Sequence, residues 1–162
     1  MGTPFEIKIK KHVKDVIVPE QIEGGNWIDL RAAEDIWIEE GEYKLINLGI
    51  SMQLPQGYEA MVIPRSSLFK NYGLIQTNSV GLIDEKYCGE DDIWRFPVYC
   101  LRGNMIDPDF DAIAPAKRGT WIYKNDRICQ FRIIEHQPRL TFNVVDSLGN
   151  ATRGGFGSTG RN

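Results

Sequence analysis

Three features are scarce in this sequence: cysteine, long apolar runs and an excess of basic charge. Its 162 residues include only 3 Cys, at Cys88, Cys100 and Cys129. An odd number cannot pair off within one chain, and these spacings do not match a metal site, so we expect reduced thiols in a cytoplasmic protein. No stretch approaches the ~20 apolar residues that cross a membrane, and the N-terminal residues lack the apolar core of a signal peptide.

The charge balance excludes a further class of protein. The chain has 19 basic and 22 acidic residues, which give a net charge of -3. Duplex DNA is bound through a basic face, so this balance argues against a nucleic-acid partner, although a nucleotide pocket needs only a few local cations. The length predicts one domain, and 42% hydrophobic residues are enough to build its core without a disulfide or a structural metal.

Apolar and polar residues alternate in several short runs, which is the pattern of half-buried strands. Examples are the runs from Phe5 to Ile9, from Ile36 to Ile38, from Trp121 to Tyr123 and from Leu140 to Val144. Glycine-containing turns recur between these runs, as in PQG at 55–57. Short strands with such frequent turns predict an all-β sandwich or barrel.

Two segments depart from the strand pattern. Ser66 to Tyr72 predicts a short helix, which a hydroxyl residue opens as the N-cap and Gly73 closes. From about Leu148 onward the chain loses its apolar periodicity and is rich in Gly, Ser and Thr. We therefore expect a β-barrel domain over 1–147 and a flexible C-terminal arm over 148–162.

Three segments carry residues that suit nucleotide chemistry, and each also has an ordinary interpretation. The PRSSL segment at 64–68 places an Arg and two Ser where a helix begins, which suits an anion site or a plain helix cap. The segment 77–90 has the pattern of a β-hairpin with Asp84 at its mouth, where an acid is either functional or simply solvated. The RGGFGSTG segment at 153–160 has the parts to wrap a phosphate chain and cover a ring, or forms a disordered tail.

Together these segments resemble the trimeric dUTP diphosphatases (dUTPases), whose five motifs occur here in the family's order. The ordered combination is far more specific than any single motif. Trp27 before the first motif and the short spacing from Arg153 to Phe156 are similar to the dUTPase subgroup of Gram-positive bacteria and their phages. The motifs are DLRAAE at 29–34, PRSSL at 64–68, GLIDEKYCGE at 81–90, DRICQ at 126–130 and RGGFGSTG at 153–160.

The resemblance implies a jelly-roll-like β-barrel subunit in a homotrimer that binds neither nucleic acid nor membrane. Each active site of this family takes motifs from all three subunits, and the C-terminal arm crosses to close a neighbouring site. The implied reaction is the hydrolysis of dUTP to dUMP and pyrophosphate. Mg²⁺ is the implied cofactor, which bridges the three phosphates while Asp29 reaches its water shell.

The resemblance assigns the nucleoside to the third motif and its surroundings. Asp84 falls where the family places the carboxylate that activates the attacking water. Asn78 and the backbone around Gly81 and Ile83 would read the uracil edge. Tyr87 would pack under the deoxyribose and exclude a 2′-hydroxyl, so the site is expected to select deoxyuridine.

The phosphate chain is assigned to the other motifs. Ser66, with the backbone N–H groups of Ser66 and Ser67, would bind oxygens on which charge develops during the reaction. The resemblance implies further phosphate contacts for Arg65, Gln130, Arg153, Gly157, Ser158 and Thr159.

The cover of the uracil is the least regular part of the resemblance. Phe156 matches the family's stacking aromatic, but the short spacing hinders one arm from placing both Arg153 on phosphate and Phe156 on the base. Arg95 follows the third motif, and guanidinium planes stack on aromatic faces. We therefore expect a composite lid of Phe156 and Arg95, with Trp94 and Phe96 as the alternatives.

Two other functions stay open from the sequence. A dCTP deaminase shares the jelly roll and some motifs, and a regulatory protein would use the nucleotide pocket as a switch for binding another protein. Intact Asp84, Tyr87 and Arg153 favour turnover. A Cys–His hydrolase has little support, because neither His12 nor His136 has a nucleophile suggested by spacing.

Overall fold

The chain folds into twelve strands and one short helix over the residues that the computed structural model describes, 5–107 and 116–154. No helix among these residues is long and apolar enough to cross a membrane. In chain order the elements are β1 (Lys8–Lys11), β2 (Ile28–Arg31), β3 (Ile36–Glu39), β4 (Tyr43–Asn47), β5 (Ile50–Gln53), β6 (Tyr58–Pro64), α1 (Leu68–Tyr72), β7 (Leu74–Gln76), β8 (Gly81–Ile83), β9 (Arg95–Cys100), β10 (Met105–Ile106), β11 (Arg118–Ile122) and β12 (Arg127–Glu135).

The strands pair antiparallel in four small sheets. The longest strand, β12, lies between β2 and β6, and β8 extends this sheet on the far side of β6. The other sheets are β10-β11-β3, β4-β9-β7 and the pair β1-β5. The all-β fold predicted from the alternating pattern is confirmed, and most of its neighbouring strands are far apart along the chain.

The core is formed by the inward residues of the strands. Trp94, Phe96 and Phe131 are its largest fully buried side chains, and the Trp94 ring meets the edge of the Phe131 ring at 5.4 Å between centroids. Burying a side chain such as Phe contributes roughly 1.5–3 kcal/mol. Because strand residues alternate between faces, Arg95 between Trp94 and Phe96 is exposed.

The predicted helix is present and begins two residues later than its sequence pattern suggests. Ser67 occupies the N-cap position of α1, although its side chain makes no capping hydrogen bond. Gly73 ends the helix in the left-handed region at φ 66°, and its N–H donates to the Phe69 carbonyl oxygen at 2.8 Å. A Cβ at Gly73 would lie 1.7 Å from the Arg102 carbonyl oxygen, so only glycine fits there.

The predicted strand from Leu140 to Val144 is wrong. The last strand of the described chain ends at Glu135, and residues 136–154 contain none. Phe142 is 90% exposed and Val144 is 96% exposed. An alternating pattern becomes a strand only when a neighbouring strand supplies hydrogen bonds, and no strand of residues 5–107 or 116–154 pairs with this stretch.

The predicted hairpin over 77–90 is also wrong. β8 pairs with β6 and not with a second strand of the same segment. Residues 84–94 form turns without a strand, so that Asp84 follows β8 directly. The pairing of β8 with β6 is favoured over a local hairpin because it covers β6, which would otherwise be an open sheet edge.

Candidate active site

Asp29 on β2 organises the first cluster of polar residues. Its Oδ1 lies 2.9 Å from Nε of Arg65, and its Oδ2 lies 3.2 Å from Nη1 of Arg127. Asp29 stands opposite Gln130 in the β2–β12 ladder, while Arg65 follows the last residue of β6. The central strand β12 therefore brings the first, second and fourth motifs together, and one carboxylate orients two guanidinium groups.

This cluster forms one wall of a cavity of about 370 Å³. Arg31, Arg65 and Arg127 supply positive charge, and Ser66 and Gln130 supply neutral polar groups. The Gln130 side chain reaches the Pro64 carbonyl oxygen with its Nε2 at 3.3 Å. Three cations and two carboxylates, Asp29 and Glu20, still leave a net positive lining, which suits an anionic group such as phosphate.

Asn125 holds the opposite wall of this cavity in place. It adopts φ 69°, in the left-handed region that Asn tolerates better than most residues. Its Oδ1 accepts a hydrogen bond from the Ile17 N–H at 3.0 Å, and its Nδ2 donates to the Asp15 carbonyl oxygen at 3.2 Å. The segment that begins at Ile17 is thereby held against the cationic cluster, where Val18 and Glu20 also line the cavity.

Two titratable groups behind the cavity stay protonated. Burial raises the pKa of the Cys129 thiol well above its ordinary value, and the charge of Asp29 adds to the effect. Burial also raises the pKa of Tyr72, with a further contribution from the charge of Asp126 and a hydrogen bond to it. The Tyr72–Asp126 contact links helix α1 to the fourth motif. Cys129 therefore acts as a core residue and not as a nucleophile.

Asp84 and Tyr87 line a second cavity, of about 390 Å³, together with Arg95 and the apolar side chains of Leu45 and Leu82. The Lys86 N–H donates to Oδ1 of Asp84 at 2.7 Å. The Tyr87 hydroxyl donates to the Ile93 carbonyl oxygen at 3.2 Å. Both contacts restrict side-chain direction, since Oδ1 of Asp84 and the Tyr87 hydroxyl are each hydrogen-bonded to the backbone of residues 84–94.

The loop over 84–94 is tied to the N-terminal strand by contacts that no local pattern reveals. Lys10 Nζ lies 2.7 Å from Glu90 Oε2 and donates to the Glu90 carbonyl oxygen at 2.8 Å. The hydrogen bond to the Glu90 carboxylate, opposed by desolvation and aided by the charge of Glu90, raises the pKa of Lys10. Ser51 donates to the Asp92 carbonyl oxygen at 2.7 Å and lies 2.8 Å from His12 Nε2.

Asn78 lies at the other end of β8 from Asp84. Its Oδ1 accepts a hydrogen bond from Gln76 Nε2 at 2.8 Å, and the following residue, Ser79, adopts φ 58°. Gly81 begins β8 opposite Val62, where a Cβ would meet the Val62 Cβ at 3.4 Å. The turn between β7 and β8 is thus held by the hydrogen bond between the Gln76 and Asn78 side chains.

The two cavities share no residue and lie at opposite ends of one strand pair. β6 and β8 are in register with Ala60 opposite Ile83, so Asp84 emerges beside the start of β6. Arg65 follows the last residue of β6. Since a strand advances about 3.3 Å per residue, Asp84 and Arg65 are separated by roughly 15–20 Å within one chain.

Comparison with known proteins identifies the family of this chain. The sequence profile of the dUTPase family matches residues 16–96. A prophage-derived deoxyuridine 5′-triphosphate nucleotidohydrolase of Bacillus subtilis (strain 168) is 50% identical over 156 residues, which are 96% of this chain and 99% of the relative. The chain belongs to the dUTPase family.

Solved dUTPase structures agree with this fold. The dUTPase of Staphylococcus bacteriophage 80alpha, solved as a mutant with dUpNHpp, aligns with a TM-score of 0.74 at 20% identity and covers 96% of this chain and 98% of its own. A mutant dUTPase from phage phi11 of S. aureus, which coordinates a structural Mg(II) ion, aligns with a TM-score of 0.70 at 18% identity over 89% of this chain and 99% of its own. The predicted dUTPase fold and the relationship with phages of Gram-positive bacteria are confirmed.

The predicted dUTPase site residues fall into two groups within the chain. Asp29, Arg65, Ser66 and Gln130 surround the cationic cavity. The other group surrounds the second cavity and consists of Ile83, Asp84, Tyr87 and Arg95. Ser67 is the N-cap of α1, whereas Asn78 and Gly81 flank the β7–β8 turn.

The arm residues of the dUTPase pattern are only partly described. Arg153 is exposed. Phe156, Gly157, Ser158 and Thr159 lie outside the described residues, so their predicted roles stay predictions. Within the described chain, no group of three or more His, Cys, Asp or Glu side chains could hold a metal ion.

Arg127 is the residue that motif comparison did not single out. It lies inside the fourth motif, beside Gln130, and its guanidinium shares the Asp29 carboxylate with Arg65. Its place within the fourth motif could have predicted this role, because a second Arg close to a phosphate-binding residue is suited to bind the same anion. Arg31 adds a third cation, whose Nη1 donates to the Asn125 carbonyl oxygen at 2.8 Å.

Proposed function

We propose that this chain is a dUTP diphosphatase that hydrolyses dUTP to dUMP and pyrophosphate in an active site shared between copies of a homotrimer. The observation that carries the proposed activity is the 50% identity, over nearly the whole chain, to a deoxyuridine 5′-triphosphate nucleotidohydrolase. The dUTPase match favours this activity over the dCTP deaminase alternative. The cationic cavity and the cavity around Asp84 supply the chemistry that the reaction needs.

Asp84 is the proposed general base. Its Oδ1 accepts the Lys86 N–H, and its Oδ2, which has no hydrogen-bond partner among the described residues, can accept a proton from water. The water oxygen attacks the α-phosphorus, the bond from that phosphorus to the bridging oxygen breaks, and pyrophosphate leaves. The proton passes to Asp84 and then to solvent, so the carboxylate is restored.

The phosphate chain is proposed to lie in the cationic cavity of a second copy. Arg65 and Gln130 would bind its oxygens, while Ser66 and the Ser67 N–H would meet the charge that develops on the α-phosphoryl group. Arg127 adds a cation that shares the Asp29 carboxylate with Arg65. Because Asp29 already orients both guanidinium groups, the cations need little rearrangement when phosphate arrives.

The nucleoside is proposed to lie in the second cavity. Asn78, with the backbone at Gly81 and Ile83, would read the uracil edge. Tyr87 would pack against the deoxyribose, held there by its hydrogen bond to the Ile93 carbonyl oxygen. Arg95, together with Phe156 of an arm, would cover the base by stacking.

Mg²⁺ would enter the cationic cavity bound to the substrate phosphates, and not in a site made only of protein ligands. Both Asp29 oxygens are already within ion-pair distance of guanidinium groups. Asp29 would therefore reach the ion through water, and the phosphates would supply most of its direct ligands. When bound, the ion offsets negative charge on the phosphate chain.

The distance between Asp84 and Arg65 within one chain supports the trimer. A second copy that faces its cationic cavity toward the Asp84 cavity removes this separation. The apolar residues of 140–148 are also exposed within the described part of the chain, which suits a segment that leaves its barrel for a neighbour. In this proposal the arm over 148–162 follows that segment, and Arg153, Gly157, Ser158 and Thr159 complete the neighbour's phosphate site.

The activity is tested by pyrophosphate release from dUTP, dCTP, dTTP and UTP with Mg²⁺. We expect release from dUTP far above the other three, and dUMP as the nucleotide product. The mass in solution should be about three times the 18.5 kDa of one chain. Ammonia release from dCTP, or full activity from a monomer, would contradict the proposal.

A further inference from the structure

Asp84 and Tyr87 are the first and last residues of one tight turn. The Tyr87 N–H donates to the Asp84 carbonyl oxygen at 3.0 Å, so that Glu85 and Lys86 are the two central residues. The proposed base and the proposed deoxyribose contact therefore belong to the same four-residue unit. A shift of this turn displaces both of them together.

Glu85 fastens the turn to a distant part of the chain. Its Oε2 accepts a hydrogen bond from the Gly57 N–H at 2.6 Å, and its side chain is only 24% exposed. Gly57 lies between β5 and β6 at φ 83°, a conformation that suits glycine. A hydrogen bond to a shielded carboxylate is stronger than one between neutral groups, and it fixes the side chain that spans the turn.

His136 holds the same glycine from its other side. Its N–H donates to the Gly57 carbonyl oxygen at 2.9 Å. Its Nε2 is buried, lacks a hydrogen-bond partner within the described residues and lies 3.9 Å from Glu85 Oε2. The backbone N–H and the carbonyl oxygen of Gly57 are thus both hydrogen-bonded. This glycine is therefore a fixed attachment point for the Glu85 side chain.

The remaining tethers of this loop act on its far end. Lys10 binds Glu90, and Ser51 binds the Asp92 carbonyl oxygen. Among the residues described, Glu85 is the member of the Asp84–Tyr87 turn whose side chain is hydrogen-bonded to a part of the chain outside residues 84–94. Loss of this anchor would leave the loop attached while freeing the end that carries the chemistry.

We propose that Glu85 is a positioning residue for hydrolysis: its hydrogen bond to Gly57 sets the place of the Asp84 carboxylate and of the Tyr87 ring at once. The inference rests on the proposed function of those two residues. A purely structural Glu85 would affect unfolding alone. A positioning Glu85 affects turnover and the discrimination between dUTP and UTP together.

Two variants separate the reach of the side chain from its charge. Glu85→Asp keeps the charge but is one methylene too short for Gly57, whereas Glu85→Gln keeps the length and an acceptor oxygen but loses the charge. We expect Glu85→Asp to lower kcat for dUTP by about tenfold, because small misplacements of reacting groups are costly, with KM within about twofold. The same variant should narrow the preference for dUTP over UTP, and Glu85→Gln should stay within about threefold of the parent in kcat.

Glu135→Asp is the matched control. This carboxylate precedes His136, is exposed, and makes no side-chain hydrogen bond or ion pair within the described chain. It should match the parent in kcat, KM and discrimination. The thermal midpoint of each variant and its affinity for the analogue dUpNHpp show whether the site is still assembled.

The inference is overturned if Glu85→Asp matches the parent in kcat and discrimination, or changes only the thermal midpoint. It is also overturned if Glu85→Gln is as impaired as Glu85→Asp, since charge and not the Gly57 hydrogen bond would then matter. A parent that releases no pyrophosphate from dUTP would refute the proposed function and this inference together. An active parent with an unaffected Glu85→Asp would refute the inference alone.

Discussion

Asp84 and Arg65 stand at opposite ends of the β6–β8 strand pair, with Asp84 beside the start of β6 and Arg65 just beyond its end. The register of the pair keeps them roughly 15–20 Å apart in one chain. In the proposed reaction, a water activated by Asp84 and a phosphate bound by Arg65 must be close to react. The two residues therefore act on one substrate only if they come from different copies.

Mixed trimers should reveal this sharing. Asp84→Asn and Arg65→Ala chains are each expected to be nearly inactive alone, because every site lacks one group. Random co-assembly should leave about a quarter of the sites with both groups intact, and recover about that fraction of parental activity. Pyrophosphate release after co-expression measures it. Co-assembly that recovers nothing would place both residues in the site of a single chain.

Asp84→Asn in every copy of the chain should separate binding from turnover. The amide keeps the shape of the carboxylate but not its basicity, so kcat should fall by about 10²–10⁴ while the affinity for dUpNHpp stays near the parental value. Asp91→Asn is the control, since Asp91 is an exposed acid of the same loop. Near-parental turnover in Asp84→Asn would mean that another group activates the water.

Substitutions of Tyr87 should change sugar discrimination. Tyr87→Ala removes the ring that is proposed to exclude the 2′-hydroxyl, so kcat/KM for UTP should rise relative to dUTP. Tyr87→Phe removes only the hydroxyl that donates to the Ile93 carbonyl oxygen, and should keep most of the discrimination. If the ratio of kcat/KM for UTP to that for dUTP is the same in the parent and both variants, a different residue selects the sugar.

The cover over the uracil can be resolved with Arg95 and Phe156. Base–aromatic stacking is worth roughly 1–3 kcal/mol, and a composite lid divides that between the two residues. Arg95→Ala and Phe156→Ala should each raise KM for dUTP, and the double variant should raise it further. Arg95→Lys keeps the charge without the planar group, so it should behave like Arg95→Ala.

Two outcomes would contradict the composite lid. If Phe156→Ala alone raises KM and Arg95→Ala does not, the arm covers the base without help. If both single variants match the parent, Trp94 or Phe96 becomes the next residue to test. Trp94 and Phe96 are fully buried, so their substitution requires a measurement of stability beside the kinetics.

Gly73→Ala should destabilise the fold far more than Gly24→Ala. Both glycines have positive φ, of 66° and 74°, and alanine in that region costs roughly 1–2 kcal/mol. A Cβ meets nothing within 4 Å at Gly24 but lies 1.7 Å from the Arg102 carbonyl oxygen at Gly73. Overpacking of this kind adds roughly 1–3 kcal/mol or more. Thermal unfolding compares the pair, and equal midpoints would show that the segment at Arg102 yields easily.

Local sequence patterns determined the all-β class, the short helix and its end at Gly73. These features depend on interactions between near neighbours: alternation of side chains along a strand, and the left-handed conformation that glycine permits at a helix end. The five motifs also predicted the dUTPase family, because each keeps the residue types that its chemistry requires. None of these inferences needs to know which strands are neighbours.

Strand pairing was decided only by the tertiary structure, and with it the division of the site. The alternation from Leu140 to Val144 has the form of a strand, yet it pairs with no strand of the described residues. β8 pairs with β6, so Asp84 and Arg65 are held apart, while β12 brings Asp29 and Gln130 together across about a hundred residues of sequence. Such contacts depend on which strands pair, although these strands are distant in sequence. Strands pair through backbone hydrogen bonds, which every residue type except proline can donate, so the side chains carry little information about the partner.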